Sequence, residues 1–412
     1  MEIALWIVGV LTAVIGLGIL LVLLYQLVIG IHGFWSMKPR RKIEDKAHDF
    51  AVIVCARNEE AVIAELLESL KAQKYPREKF ELFVIADNCT DQTAEVSRES
   101  GVVVYERFND KEVGKGYALR WALERIQEDY GDRFDAVTVF DADNVADPCY
   151  LYHTNEALCS GADATQGYRE TKNPFDNAIS GCYAIYWYML TRFYHQARSN
   201  AGLPCSIGGT GFAFKTAIIK ETGWDTVTLT EDSEFASRRA LDGRHIQLVR
   251  EAVFYDEQPT EWDVSVKQRK RWMCGTMQES RVLRRPAWKS FRNGNKNAFD
   301  IFMMMLSFPA LAWLLVLMVL SLTTSILASF AFLGPWWYIG VTSAVLSTLI
   351  GSYLSMFVLA LLSLCLEKKK LSPFGKALAF YPLFMFPMMF YSFLFLFKKD
   401  MVWEQIRHGT RK

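Results

Sequence analysis

The sequence predicts an α/β domain with a mainly parallel sheet, flanked by transmembrane helices and by amphipathic helices at the membrane interface. Three observations predict it. Long uncharged blocks lie towards both ends of the 412-residue chain. Between them, short apolar runs alternate with amphipathic stretches of helical period. A basic, helically spaced stretch then leads into the second apolar block.

Residues Ile3 to Ile31, Ile301 to Leu366 and Ala377 to Phe397 carry no charge. About 20 apolar residues span the hydrocarbon core of a bilayer. The first block is therefore one long helix (residues 1–35), the second holds two crossings, and the third is a further candidate within a C-terminal membrane region of residues 301–398. Glu2 in place of a basic start, and no small-x-small cleavage pattern, mark the first block as a retained anchor. Lys38, Arg40, Arg41 and Lys42 follow it, which places the next domain in the cytosol. Eight scattered cysteines with no C-x-x-C pair fit that side. A net charge of +1 argues against a general nucleic-acid role.

One crossing before the domain and three after it would put Lys398, Lys399 and the basic tail (residues 399–412) on the far side, against the positive-inside tendency. Either the last block is interfacial or re-entrant, or one block hides another crossing.

Within residues 48–258, Ala51–Ala56, Leu82–Asp87, Val102–Glu106 and Ala136–Asp141 read as buried strands. Glu59–Lys71, Gln92–Ser100 and Lys115–Glu128 read as helices. In such sheets ligands sit at the carboxyl ends of the strands, and there the polar residues gather: Arg57-Asn58-Glu59, Asp87-Asn88 and Asp141-Ala142-Asp143. Singly, each is an ordinary polar turn. Together they crowd carboxylates at one sheet edge, which calls for a cation.

Asp141 and Asp143 alternate on an extended chain, so both can face one ligand. Oxygen ligands suit Mg²⁺ or Mn²⁺, which bridge phosphate oxygens and stabilise a departing diphosphate. Thr230-Glu231-Asp232 opens a helical stretch at Ser233–Leu241; helix capping is its plain reading, and a general base at Asp232 is its chemical one. Gln268, Arg271 and Trp272 fall at i, i+3 and i+4, one patch on a helix of an amphipathic segment spanning residues 259–300. Trp272 offers a flat face for a sugar ring and Arg271 fixed donors for a diphosphate.

Asp87, Asp141/Asp143, Thr230-Glu231-Asp232 and Gln268 through Trp272, in this order, resemble the motifs of the membrane-embedded processive glycosyltransferases of family two, which include cellulose, hyaluronan and related β-glycan synthases. The resemblance implies a GT-A (Rossmann-like) domain and an inverting transfer from a UDP-sugar. It implies that Arg57, Glu59 and Asp87 hold the uridine, with Lys115, Gln268 and Arg271 near the nucleotide. Asp143 would be the main metal ligand, with Asp141 a second metal residue that also supports the nucleotide or ribose, and Asp232 would be the base within Thr230-Glu231-Asp232. Trp272 and the loop Gly209, Thr210 and Gly211 would meet the acceptor. Implied partners are a UDP-sugar, a growing polysaccharide and the lipid bilayer of a plasma membrane. UDP-glucose, giving a β-glucan that includes mixed-linkage forms, is the first expectation for the donor; UDP-N-acetylglucosamine is the second. No F-x-V-T-x-K gating segment follows Trp272, and Gly-Gly-Thr-Gly departs from the cellulose-type loop, so neither that regulation nor cellulose itself is implied. A lipid acceptor is the alternative within the same chemistry. A catalytically inert membrane transport or scaffold protein is the alternative outside it.

Overall fold

The computed structural model describes residues 2–399. Its centre is an eight-stranded sheet in the order β3-β2-β1-β4-β7-β6-β8-β5. The strands are β1 Phe50–Ala56, β2 Phe80–Asp87, β3 Val103–Arg107, β4 Ala136–Asp141, β5 Val145–Ala146, β6 Ala164–Thr171, β7 Phe212–Lys215 and β8 Ile246–Asp256. β3, β2, β1 and β4 run parallel. β7 is antiparallel to both β4 and β6, β8 runs parallel to β6, and β5 closes the edge antiparallel to β8. Of the basic tail, residues 400–412 lie outside the described residues.

β1 and β2 are almost wholly apolar because helices cover both faces of the sheet. Phe50, Val52, Val54 and Ala56 enter one core layer, and Ala51 and Ile53 the other. Each large side chain so buried contributes roughly 1.5–3 kcal/mol. Register then sets the site: Ala56 pairs with Ala86, and Cys55 with Asp141. The residues after these strands therefore leave the sheet at one edge.

The helix expected from Glu59 begins only at Ile63. Asn58 turns with φ of 56°, and the amides of Glu59 and Glu60 are spent on Thr93 Oγ1 (2.8 Å) and Asp91 (3.2 Å). Those bonds join the β1 and β2 turns into one platform.

Among the described residues, four helices are long and apolar enough to cross a membrane: Trp6–Phe34, Asn297–Phe332, Gly334–Leu366 and Ser372–Phe397. Two buried ionic knots fasten them to the sheet domain. Arg198 pairs with Asp300 at 3.0 Å, and Tyr25 donates to the same carboxylate at 3.0 Å. Glu367, in the turn after the helix Trp337–Leu366, accepts from Arg192 (2.7 Å), Arg250 (2.5 Å) and Tyr168 (2.7 Å).

The last helix, Gly375–Phe397, behaves differently from the others. At its start Ala377 packs on Gly181, where a Cβ would sit 2.6 Å from the alanine methyl. At its end Arg281 donates to the carbonyl of Leu396 (3.2 Å), and Gln278 to that of Lys399 (3.2 Å). Midway, Arg269 donates to the Phe384 carbonyl and lies 3.9 Å over the Phe384 ring. The helix thus runs beside the 31-residue helix Trp262–Arg292, in the same direction, for most of its length.

Candidate active site

The platform formed by the β1 and β2 turns presents Asp87, which is 5% exposed and paired with Arg107 at 2.6 Å. Burial raises its carboxyl above the ordinary range, although Arg107 and Arg57 oppose the shift. Lys115, the first residue of the helix Lys115–Tyr130, donates to Asp141 and, at 2.6 Å, to the Gly209 carbonyl. Gly116 beside it approaches Glu231 closely: a Cβ there would lie 3.1 Å from the glutamate Cβ.

The D-x-D turn is held from below. The Asp141 amide donates to Thr210 Oγ1 at 2.9 Å, and the Thr210 hydroxyl donates to Asn144. Asn144 in turn bridges Asp143 (3.0 Å) and Asp256 (2.8 Å). Asp256 also receives Arg169 (3.0 Å) and Gln258 (2.7 Å). Burial, then Asp256, Asp141 and Glu257, push the Asp143 carboxyl well above the ordinary range. Such crowding of buried oxygens is the donor set a hard dication fits.

The loop before Asp232 is shaped by Glu234, which accepts from the amides of Val227 (2.8 Å) and Thr228 (2.7 Å). Asp232 comes close to Gly209, whose Cβ position lies 3.6 Å from Oδ2. Burial raises its carboxyl, and burial with the Asp232 charge pushes Glu231 up to about 7.

From the opposite side the helix Trp262–Arg292 brings Gln268, Arg271 and Trp272. The Trp272 ring stacks on Tyr186 (5.9 Å, 20°) and meets Trp187 edge-on at 5.5 Å. Thr230 Oγ1, Gln268 Oε1 and Arg271 Nε are buried with no hydrogen-bond partner among the described residues. Three orphaned polar atoms in one wall are costly unless a ligand satisfies them.

These side chains line one cavity of about 400 Å³. Of the predicted site residues, Arg57, Glu59, Asp87, Lys115, Asp141, Asp143, Gly209, Thr230, Glu231, Asp232, Gln268, Arg271 and Trp272 all face it. Thr210 and Gly211 are absent from its wall. Thr210 is 1% exposed and braces the D-x-D turn from behind. Gly211, with φ of 60°, is glycine because a Cβ would overlap the Phe254 ring.

Sequence reading missed Arg169, Asp256, Asn144, Gln258, Tyr186 and Trp187. Asp256 carried a usable signal, since it closes an apolar strand as Asp141 does. Elsewhere Glu44, His48 and Cys159 come together. Glu44 faces His48 Nε2 (3.4 Å) and Cys159 faces Nδ1 (3.8 Å), so the pair does not address one ion.

Residues 48–275 match the sequence family described as "Glycosyltransferase like family 2". The chain belongs to this family. Among curated proteins, this glycosyltransferase is similar to "Probable glycosyltransferase YdaM" of Bacillus subtilis, 28% identical over 55% of this chain and 54% of that protein. It also resembles "Beta-monoglucosyldiacylglycerol synthase" of Nostoc sp., 28% identical over 68% of this chain and 61% of that one. A third relative is "Poly-beta-1,6-N-acetyl-D-glucosamine synthase" of Staphylococcus epidermidis, 26% identical over 65% of each chain. The chain thus spans between about half and two thirds of the length of these relatives. A solved mannosyltransferase from Pyrobaculum calidifontis, in complex with GDP-Man and Mn²⁺, superposes with a TM-score of 0.55, covering 84% of this chain and 99% of that one at 19% identity. That likeness shows the fold, a GT-A sheet with a largely helical C-terminal region.

Proposed function

We propose that this glycosyltransferase is a processive, inverting synthase that extends a β-linked glycan from a UDP-hexose at the cytosolic face of a plasma membrane. The observation that carries the reading is the convergence of Asp143, Asp232 and Trp272 on one cavity from three separate stretches of chain.

Asp87, with Arg57 and Glu59, would hold the base and ribose of the nucleotide. Asp143 and Asp141 would hold Mg²⁺ or Mn²⁺, which, when bound, offsets charge growing on the departing diphosphate. Arg271 closes over the diphosphate with its unpartnered Nε–H, and Gln268, whose unpartnered Oε1 can accept from a sugar hydroxyl, closes the site beside it. Asp232 takes the proton of the acceptor hydroxyl as that oxygen attacks the anomeric carbon. The bond from that carbon to the diphosphate breaks on the opposite face, UDP leaves, and an α-linked donor gives a β-linked product.

Trp272, braced by Tyr186 and Trp187, provides an aromatic floor for the acceptor ring. Phe308, from the membrane helix Asn297–Phe332, lines the same cavity, which supports an exit for the product towards the bilayer. The last apolar helix is proposed to lie along the membrane surface, because both its ends contact elements of the catalytic side.

A lipid acceptor is the second reading, favoured by Leu190, Leu229 and Phe308 in the cavity wall and by the relative named for a glucosyldiacylglycerol. Purified enzyme in nanodiscs, given UDP-glucose or UDP-N-acetylglucosamine with Mn²⁺, separates the two. Polymer resistant to chloroform extraction supports the synthase, while a single-sugar, lipid-extractable product supports the other. Asp232→Asn is expected to lower transfer by roughly 10²–10⁴-fold with UDP binding kept; undiminished turnover would remove the base assignment.

A further inference from the structure

The helix Trp262–Arg292 does more than deliver Arg271 and Trp272. Below Arg271, at i+4, i+7 and i+8, lie Gly275, Gln278 and Glu279, all on one face. Each touches the segment that carries the base. A Cβ on Gly275 would sit 2.6 Å from Thr230 Cγ2 and 2.9 Å from its backbone nitrogen, so only glycine permits this approach. Gln278 accepts from the Leu229 amide at 3.1 Å. Glu279, 0% exposed, accepts from Ser237 Oγ at 2.7 Å, and its other carboxyl oxygen is buried with no hydrogen-bond partner among the described residues, close to Ser233, the neighbour of Asp232. On the outer side, Ser280 donates at 2.6 Å to the Met305 carbonyl. Pro309, four residues on, has no N–H to offer that carbonyl.

We propose that Glu279 is a positioning residue: through Ser237, on the helix Glu231–Leu241 that also carries Asp232, it sets where Asp232 stands relative to Arg271 and Trp272. The inference rests on the role of Asp232 given above. No cation pairs with Glu279 among the described residues, and the group that donates to it is the Ser237 hydroxyl. Burial, with the nearby carboxylates of Asp232 and Glu234, pushes its acid up to about 8. At neutral pH it is therefore an uncharged group that joins two elements by direction rather than by charge. A leucine of similar size would pack in the same place but would fix no register between the helices.

The test uses the full-length enzyme in nanodiscs with Mn²⁺ and donor, comparing Glu279→Leu, Glu279→Gln, Ser237→Ala and Asp232→Asn. Glu279→Leu is expected to lower kcat by about ten- to a hundredfold while the donor KM stays within about twofold. Glu279→Gln, which keeps both hydrogen-bonding atoms, restores kcat to within about threefold of wild type. Ser237→Ala, which is mild enough to fold if the leucine variant is not, lowers kcat several-fold in the same manner. An unchanged kcat in both Glu279→Leu and Ser237→Ala overturns the inference. So does a matching loss of donor binding, or failure of glutamine to rescue. Persistent activity of Asp232→Asn would instead sink the underlying assignment of the base, an outcome separate from these.

Discussion

Arg169 and Asp256 form an ion pair at 3.0 Å in the cavity wall, and the guanidinium lies 3.7 Å over the Trp187 ring. Both side chains are about nine-tenths buried, at 9% and 10% exposure. Asp256→Ala would leave the guanidinium uncompensated and strip Asn144 and Gln258 of an acceptor. Breaking one side of such a pair costs about 3–5 kcal/mol. The variant should unfold at a clearly lower temperature and bind donor more weakly; an unchanged melting curve would show that the pair does not hold this wall.

That pair also marks the limit of what the sequence discloses. β1, β2 and β4 announce themselves as apolar runs closing on polar turns, because parallel strands covered on both faces have no polar side to show. β6 does not. Thr165, Gln166 and Arg169 are buried in it, with Gln166 donating to the carbonyls of Thr210 and Gly211 at 3.1 Å each. Such a strand looks like a surface loop until its partners are known. The motif Gln268–Trp272 was legible through helical spacing, whereas the opposite course of Arg269, towards Phe384, depends on a helix more than a hundred residues later.

Proton and metal compete at Asp143. Its carboxyl, raised by burial and then by Asp256, Asp141 and Glu257, keeps its proton above the ordinary carboxylate range in the metal-free protein. A dication must displace that proton. The Mn²⁺ concentration for half-saturation, followed by calorimetry between about pH 5 and 8, should therefore fall as pH rises across that window, above the ordinary carboxylate range. Asp143→Asn should weaken binding at every pH and flatten the dependence. Tighter binding at the acid end would refute Asp143 as a ligand.

The proposed arrangement, three crossings with the last helix on the membrane surface, would place the C-terminus on the catalytic side. The bonds from Arg281 and Gln278 to residues 396 and 399 tie the end of that helix to the amphipathic helix Trp262–Arg292. A protease-cleavable tag after Lys412 should be cut in inverted vesicles and protected in intact cells. Cleavage in intact cells would mean that the helix Gly375–Phe397 crosses after all.

Glu279 makes a prediction of definite sign about stability. Its acid sits at about 8 in the folded protein, against an ordinary value near 4.3 for a free glutamate. Below both values the group is protonated in either state and adds no pH dependence. Between them the unfolded chain has released the proton and the folded one has kept it, so stability declines as pH rises and levels off above about 8. Glu279→Gln has no proton to lose. Its melting temperature minus that of wild type should therefore grow steadily from pH 5 to pH 8, with the shared titrations of Asp232 and Glu234 largely cancelling in the difference. A difference that shrinks with pH would mean that Glu279 is ionised in the fold, and that some cation stabilises it there.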